Sequence, residues 1–245
     1  MGLKILRKWW LWAWLIFATP VVVLVTAGAR AGSAEFQYRA ARWVSRWWSR
    51  GMLRVTGSTC KVEGLEHVSG RGPYIVMSNH RSVVDTPVLI EHLPFLFGFI
   101  VKAELMRIPV FAAGMKSIGC VAVKRSGTRR DHDALGEVAQ DVASGKNILI
   151  FPEGTRSPSD AFLPFKKGGA ILAIKAGVPV LPVAVSGTNR VIPAGLTTVT
   201  PGELLLRIGE PIVTQGLTIE DRDALTDKVR GSIEALYIPG YPTGA

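Results

Sequence analysis

The sequence predicts an α/β protein: one layered domain behind an N-terminal pair of helices. From residue 57 onward, apolar β-branched runs alternate with helical stretches, the pattern that stacks helices on a sheet. The 245 residues suffice for one substantial core plus an extension. The first 56 residues differ in kind, with a long uncharged apolar run followed by a basic, tryptophan-rich segment. The boundaries are therefore 1–56 for a two-helix segment and 57–245 for the layered domain.

Residues 9–29 contain no charge and are long enough to cross a bilayer. A positively charged start and no clean small-residue cleavage site predict that the segment is retained. Basic residues flank it on both sides, Lys4, Arg7 and Lys8 before it and Arg30 to Arg54 after it. The positive-inside rule then pulls both ends to one side, so entry and exit through one leaflet competes with a full span. Pro20 in mid-run would help such a helix bend. Over 34–54, Arg39, Arg42, Arg46 and Arg50 recur every three or four residues, while Ala40, Val44, Trp47 and Trp48 fall on another face. This is an amphipathic helix suited to the interface plane; packing of its aromatics on the domain core is the alternative.

Strands are expected over 74–77, 98–101, 119–123, 148–151, 180–185 and 204–208, and helices over 83–92, 129–144, 168–176 and 219–237. The last helix opens with a capping-box spacing, Thr218 and Asp221. The tail after Pro239 is rich in Pro and Gly and is expected to fray.

The formal net charge is +10, which raises nucleic acid as a partner. The distribution excludes it: residues 1–56 hold nine basic residues against Glu35, which is +8 of the +10. The same stretch holds Trp9, Trp10, Trp12, Trp14, Trp43, Trp47 and Trp48. Anionic lipid headgroups fit better, because Trp prefers the membrane interface and each surface Lys or Arg gains roughly 1 kcal/mol there. Cys60 and Cys120 follow no metal or redox spacing and read as reduced thiols of a protein facing the cytosol. No metal site is expected.

Three short blocks can carry chemistry. After the strand at 74–77 come Asn79, His80 and, five residues beyond the histidine, Asp85. A histidine is the natural general base near neutral pH, and a carboxylate on its second ring nitrogen fixes the tautomer. Closing the pair requires a turn from loop into helix, for which Ser82 is a competent cap. The sequence has no G-x-S-x-G elbow, no paired metal-ligand histidines and no P-loop, so the substrate itself would bring the hydroxyl. The second block, Phe151-Pro152-Glu153-Gly154-Thr155-Arg156-Ser157, follows a strand end, where Arg156 can hold a phosphate bidentately. Glu153 is either an acid or a carboxylate that pins the turn. The third places Lys102 and Arg125 after strands, as further anion ligands.

In this order, with Val178-Pro179-Val180-Leu181-Pro182 as a fourth block, the set resembles the 1-acylglycerol-3-phosphate acyltransferases and their glycerol-3-phosphate acyltransferase relatives. Asn79, His80 and Asp85 match the NHxxxxD motif, and 151–157 match FPEGTRS. The resemblance implies a single mixed sheet flanked by helices, with an N-terminal membrane-associated helix pair. It implies His80 as base, Asp85 as its orienting partner, and Arg156 with Lys102 as phosphate ligands. Asn79, Glu153, Gly154, Thr155 and Pro182 would be motif support, and the fourth block would line the acyl side. Lys124-Arg125 departs from the acidic-then-Arg ending usual in the second block. Acyl transfer from acyl-CoA or acyl carrier protein to a lysophospholipid acceptor is thus expected, with no cofactor, at the cytoplasmic face of the cell membrane. Another acceptor, glycerol-3-phosphate or a lyso-aminolipid, and a non-catalytic peripheral lipid binder are the alternatives; the last would have no use for His80 with Asp85.

Overall fold

The computed structural model describes residues 2–107, 109–123, 130–195 and 198–242. The chain opens with helix α1 (Gly2–Gly28), a 3₁₀ turn (Ala29–Ala31) and helix α2 (Ala34–Thr56). Ser33 caps α2 by accepting from the Phe36 amide at 3.3 Å, and Gly57 ends it at φ 72°, a left-handed conformation that costs glycine nothing. The two helices run antiparallel: the Arg7 guanidinium donates to the Val55 carbonyl, the Trp14 indole to the Trp48 carbonyl and the Trp48 indole to the Thr19 hydroxyl. Leu6–Ala31 has a mean hydropathy of 2.0 and is long and apolar enough to cross a membrane.

Then follow β1 (Thr59–Glu63), β2 (Ile75–Ser78), α3 (Asp85–His92), β3 (Gly98–Lys102), α4 (Pro109–Ser117), β4 (Val121–Val123), α5 (Arg130–Ala143), β5 (Ile148–Ile150), α6 (Gly168–Ala176), β6 (Val180–Ser186), α7 (Thr188–Val191), β7 (Glu203–Ile208) and α8 (Arg222–Leu236). The strands form one seven-stranded sheet in the order β1-β7-β6-β2-β5-β3-β4. All neighbours are parallel except β6 and β7, so the sheet is mixed and flanked by helices, as expected.

Period-two alternation divides the core. Val76, Leu149, Leu181 and Val183 pack with α3, Met52 and Leu53 on one face. Ile75, Met77, Ile148 and Val180 pack with α5, α6 and α8 on the other. The β2 connection runs by α3 on the first face toward β3, and the β5 connection by α6 on the second toward β6. Adjacent strands thus send their chains to opposite sides, which opens a crevice beyond their carboxyl ends.

Three elements went unpredicted, β1, α4 and the four-residue α7. Strand β1 is a half-exposed edge strand of mixed polarity, so its alternation is weak. Helix α4 carries Gly114 in its interior, which lowers helix propensity but lets α1 approach: a Cβ there would lie 3.2 Å from Val23 Cγ2. The Thr218–Asp221 capping box is present and starts a 3₁₀ turn leading into α8. The tail does not fray through 242, because the Gly240 amide donates to Asp160 and Arg190 donates to the Pro242 carbonyl.

Candidate active site

The loops leaving β2, β5 and β6 meet in the crevice. At its centre His80 Nδ1 lies 2.8 Å from Asp85 Oδ2. Asp85 is fully buried, whereas the His80 side chain is 20% exposed. With Nδ1 donating to the carboxylate, Nε2 carries the free lone pair, and it has no partner among the described residues. The imidazole stacks on Phe151 at 3.9 Å between centroids and 12° between planes. One ring face is thereby closed and the imidazole is held in one orientation.

Asp85 is held on both oxygens. Oδ2 also accepts from the Arg81 and Ser82 amides at 2.7 and 2.8 Å, and Oδ1 accepts from the Thr188 hydroxyl at 2.5 Å. The turn into α3 is therefore organised by Asp85 reaching back to upstream amides. Ser82 does not act as the helix N-cap; its hydroxyl accepts from the Val84 amide and donates to the Ile192 carbonyl. A carboxylate outcompetes a hydroxyl for two convergent amides because charge-assisted bonds are stronger.

Asn79 is buried, its amide nitrogen donating to the Val185 carbonyl (2.9 Å) and its amide oxygen accepting from the Val185 N–H (2.8 Å). It continues the β2–β6 ladder by one rung past the strand's end. Glu153, also buried, accepts from the His80 amide (2.9 Å), the Leu163 amide (2.8 Å) and Arg81 Nη1 (2.8 Å). Its carboxylate ties the two motif loops together. Arg81, wholly buried, is sandwiched near Phe162 (4.6 Å) and Tyr237 (5.3 Å). Beside them Asp160 accepts from Tyr237, Gly240 and Asn189; burial pushes its carboxyl up, but these donors outweigh it and hold it below the usual carboxylate range.

Gly154 sits at φ 75°, and Thr155 is exposed on the same turn. Arg156 follows with its Nη1 buried and without a hydrogen-bond partner. A guanidinium nitrogen stripped of water and left unpaired is costly, and here it borders the crevice through Ser157, whose amide donates to the His80 carbonyl. Lys102 closes β3 opposite Val123, at the same end of the sheet; its side chain and the whole of Arg125 lie outside the described residues. Pro182 is an interior residue of β6 facing Met77 in register, and Val180 and Leu181 enter the two cores.

Arg81 and Thr188 escaped the sequence reading. An arginine beside the histidine looks solvated until Glu153 is brought to it by the fold. No local signal marks Thr188, which meets Asp85 across 103 positions of chain.

Fold and site together define an α/β protein with a carboxylate-oriented histidine to which no side-chain hydroxyl or thiol is hydrogen-bonded among the described residues. The chain belongs to the Acyltransferase family, whose sequence profile matches residues 59–186. It is 32% identical to the 1-acyl-sn-glycerol-3-phosphate acyltransferase alpha of Homo sapiens over 74% of this chain and 64% of that protein. Against the 1-acyl-sn-glycerol-3-phosphate acyltransferase of Saccharomyces cerevisiae the identity is 32%, over 82% and 68%. The crystal structure of the 1-acyl-sn-glycerophosphate (LPA) acyltransferase PlsC from Thermotoga maritima superposes with a TM-score of 0.75, at 30% identity over 94% of this chain and 93% of that one. The chain spans slightly under two thirds of the length of its mammalian relatives.

Proposed function

We propose that the protein transfers a fatty acyl chain from acyl-CoA or acyl carrier protein to the free hydroxyl of 1-acylglycerol-3-phosphate, making phosphatidate. The observation that carries this is His80, aimed by a buried Asp85 beside the unpaired Arg156 guanidinium, with no side-chain hydroxyl or thiol bonded to the imidazole among the described residues. His80 Nε2 removes the hydroxyl proton as that oxygen attacks the thioester carbonyl. The C–O bond forms, the C–S bond breaks, and the proton passes from the imidazolium to the departing thiolate. General-base catalysis of this kind supplies roughly 10²- to 10⁴-fold; positioning of the acceptor through Arg156, and through Lys102 and Arg125, supplies more.

Residues 1–56 form the membrane seat and 57–245 the catalytic unit. Trp9, Trp10, Ile16, Phe17 and Leu24 are exposed along α1, an apolar face that a bilayer would cover. Along α2 runs an open groove of about 700 Å³ lined by Arg39, Arg42, Arg46, Arg50, Trp43 and Trp47, which suits anionic headgroups. Arg7 lies beside Gly57, just before β1 starts, and β1 starts at the sheet end that carries His80. The seat and the site therefore share one end of the molecule, so an acceptor can reach the base from the leaflet. The unpaired thiols of Cys60 and Cys120 suit the reducing cytoplasmic face.

The test is acyl transfer from radiolabelled acyl-CoA, then acyl carrier protein, to lysophosphatidate, glycerol-3-phosphate and uncharged monoacylglycerol, with wild type and His80→Ala in parallel. Phosphatidate made by wild type alone is expected. Turnover retained by His80→Ala would remove the histidine from the mechanism.

A further inference from the structure

We propose that Lys166 is a second cationic contact for the acceptor's phosphate, working with Arg156 across the turn at Gly154; this rests on the acceptor being phosphate-bearing. Lys166 belongs to none of the four sequence blocks, but the fold straps it to one of them. Its amide donates to the Pro152 carbonyl at 2.8 Å. Its side chain lies flat on the turn: a Cβ built on Gly154 would stand 2.5 Å from Lys166 Nζ, 2.8 Å from Cε and 3.2 Å from Cδ. A Cβ there would displace the end of the Lys166 side chain, and the positive φ of Gly154 favours glycine on its own account.

The ammonium so placed has no carboxylate partner among the described residues. The contrast with its neighbour is informative, since Lys167 pairs with Asp223 at 2.8 Å. Arg156, two residues beyond Gly154, has a buried Nη1 that is likewise unpartnered. Two cations without a carboxylate partner among the described residues, Lys166 exposed and Arg156 with one nitrogen buried, therefore flank one turn, and the turn is bonded to the backbone of His80 through Glu153 and Ser157. A phosphate monoester carries about −1.5 to −2 at neutral pH, more than a single guanidinium offsets. The geometry divides the work: the Arg156 fork sets orientation, and the Lys166 ammonium on its flexible stem adds a point charge that follows the ligand.

The experiment is steady-state kinetics of Lys166→Gln, Lys166→Arg, Lys167→Gln and Arg156→Ala with lysophosphatidate and with monoacylglycerol at saturating acyl donor. Loss of a charge-assisted contact predicts a KM for lysophosphatidate raised about tenfold or more in Lys166→Gln. kcat should hold within about twofold, as befits a contact made equally in ground and transition states. Lys166→Arg should recover most of the affinity, and Lys167→Gln should match wild type. A wild-type KM in Lys166→Gln overturns the proposal, and so does a fall in kcat that arginine does not rescue, which would mark Lys166 as a prop for the turn. If Arg156→Ala loses phosphate selectivity while Lys166→Gln keeps it, Lys166 alone is excluded. If wild type acylates monoacylglycerol as well as lysophosphatidate, the phosphate-bearing acceptor itself falls, and Lys166 with it.

Discussion

At the scale of single residues the site is a set of bonds to two buried carboxylates. The Thr188 hydroxyl meets Asp85 Oδ1 at 2.5 Å with neither residue exposed, so it holds the carboxylate that orients His80 while itself shut off from solvent. Thr188→Val keeps the shape and removes one bond to a charged group, worth about 1.5–3 kcal/mol. kcat should drop about tenfold or more with both KM values held, and Thr188→Ser should restore it; a KM effect of equal size would assign Thr188 to binding instead. Glu153 and Arg81 are both fully buried, and removing one charge strands the other. Glu153→Ala should cost about 3–5 kcal/mol in denaturant unfolding, far beyond a surface substitution. A loss under 1 kcal/mol would mean that water reaches Arg81.

Elements are joined by polar side chains where ladders end. Asn79 gives β6 the pairing that a further β2 residue would give, and Asn79→Ala leaves both Val185 backbone groups unpaired at about 1–3 kcal/mol each. Amide exchange at Val185 should then accelerate more than at Leu181; equal exchange would show that the ladder does not depend on Asn79. The α2–α3 contact is electrostatic at one point, where Glu91 accepts from Arg46 at 3.2 Å and Arg50 at 2.7 Å. Burial raises the Glu91 carboxyl, but the two arginines outweigh it and hold it below the ordinary carboxylate range. The depressed folded value means the contribution is full above the unfolded value of about 4.3 and is lost as pH falls through the folded one. Tryptophan fluorescence of the helix pair should therefore show an acid transition that Glu91→Gln lacks; an identical transition in both would place the acid-sensitive group elsewhere.

For the whole molecule the two N-terminal helices differ in kind. Helix α1 presents exposed apolar residues along its length, whereas α2 supplies Met52 and Leu53 to the core and two arginines to Glu91. Removing residues 2–28 should sharply weaken flotation with phosphatidylglycerol vesicles, leaving only what the arginines of α2 supply, while far-UV circular dichroism reports a folded remainder. Removing 1–56 uncovers Val88 and Leu89 and should give aggregation. Tight vesicle binding by the shorter truncation would move the membrane contact to α2.

Across these scales, what the sequence determined by itself was whatever depends on short spacing. Strand and helix positions follow from local runs and spacings of apolar residues, as in the continuous run Ile75, Val76 and Met77, buried on both faces of the sheet. The His80–Asp85 pair was legible because five residues of turn suffice to close it, and the basic, tryptophan-rich first 56 residues were legible from composition. The tertiary structure alone decided the partners of those residues. Arg81 meets Glu153 and Asp85 meets Thr188 only because β5 and β6 flank β2 in the sheet, whereas Lys166 reaches Gly154 by a fold-back within the β5–α6 connection. Strand order is set by how the two apolar faces are covered, a long-range balance of packing that no local spacing encodes, and the unpaired Arg156 Nη1 becomes visible only once the fold shows which buried polar atoms have partners.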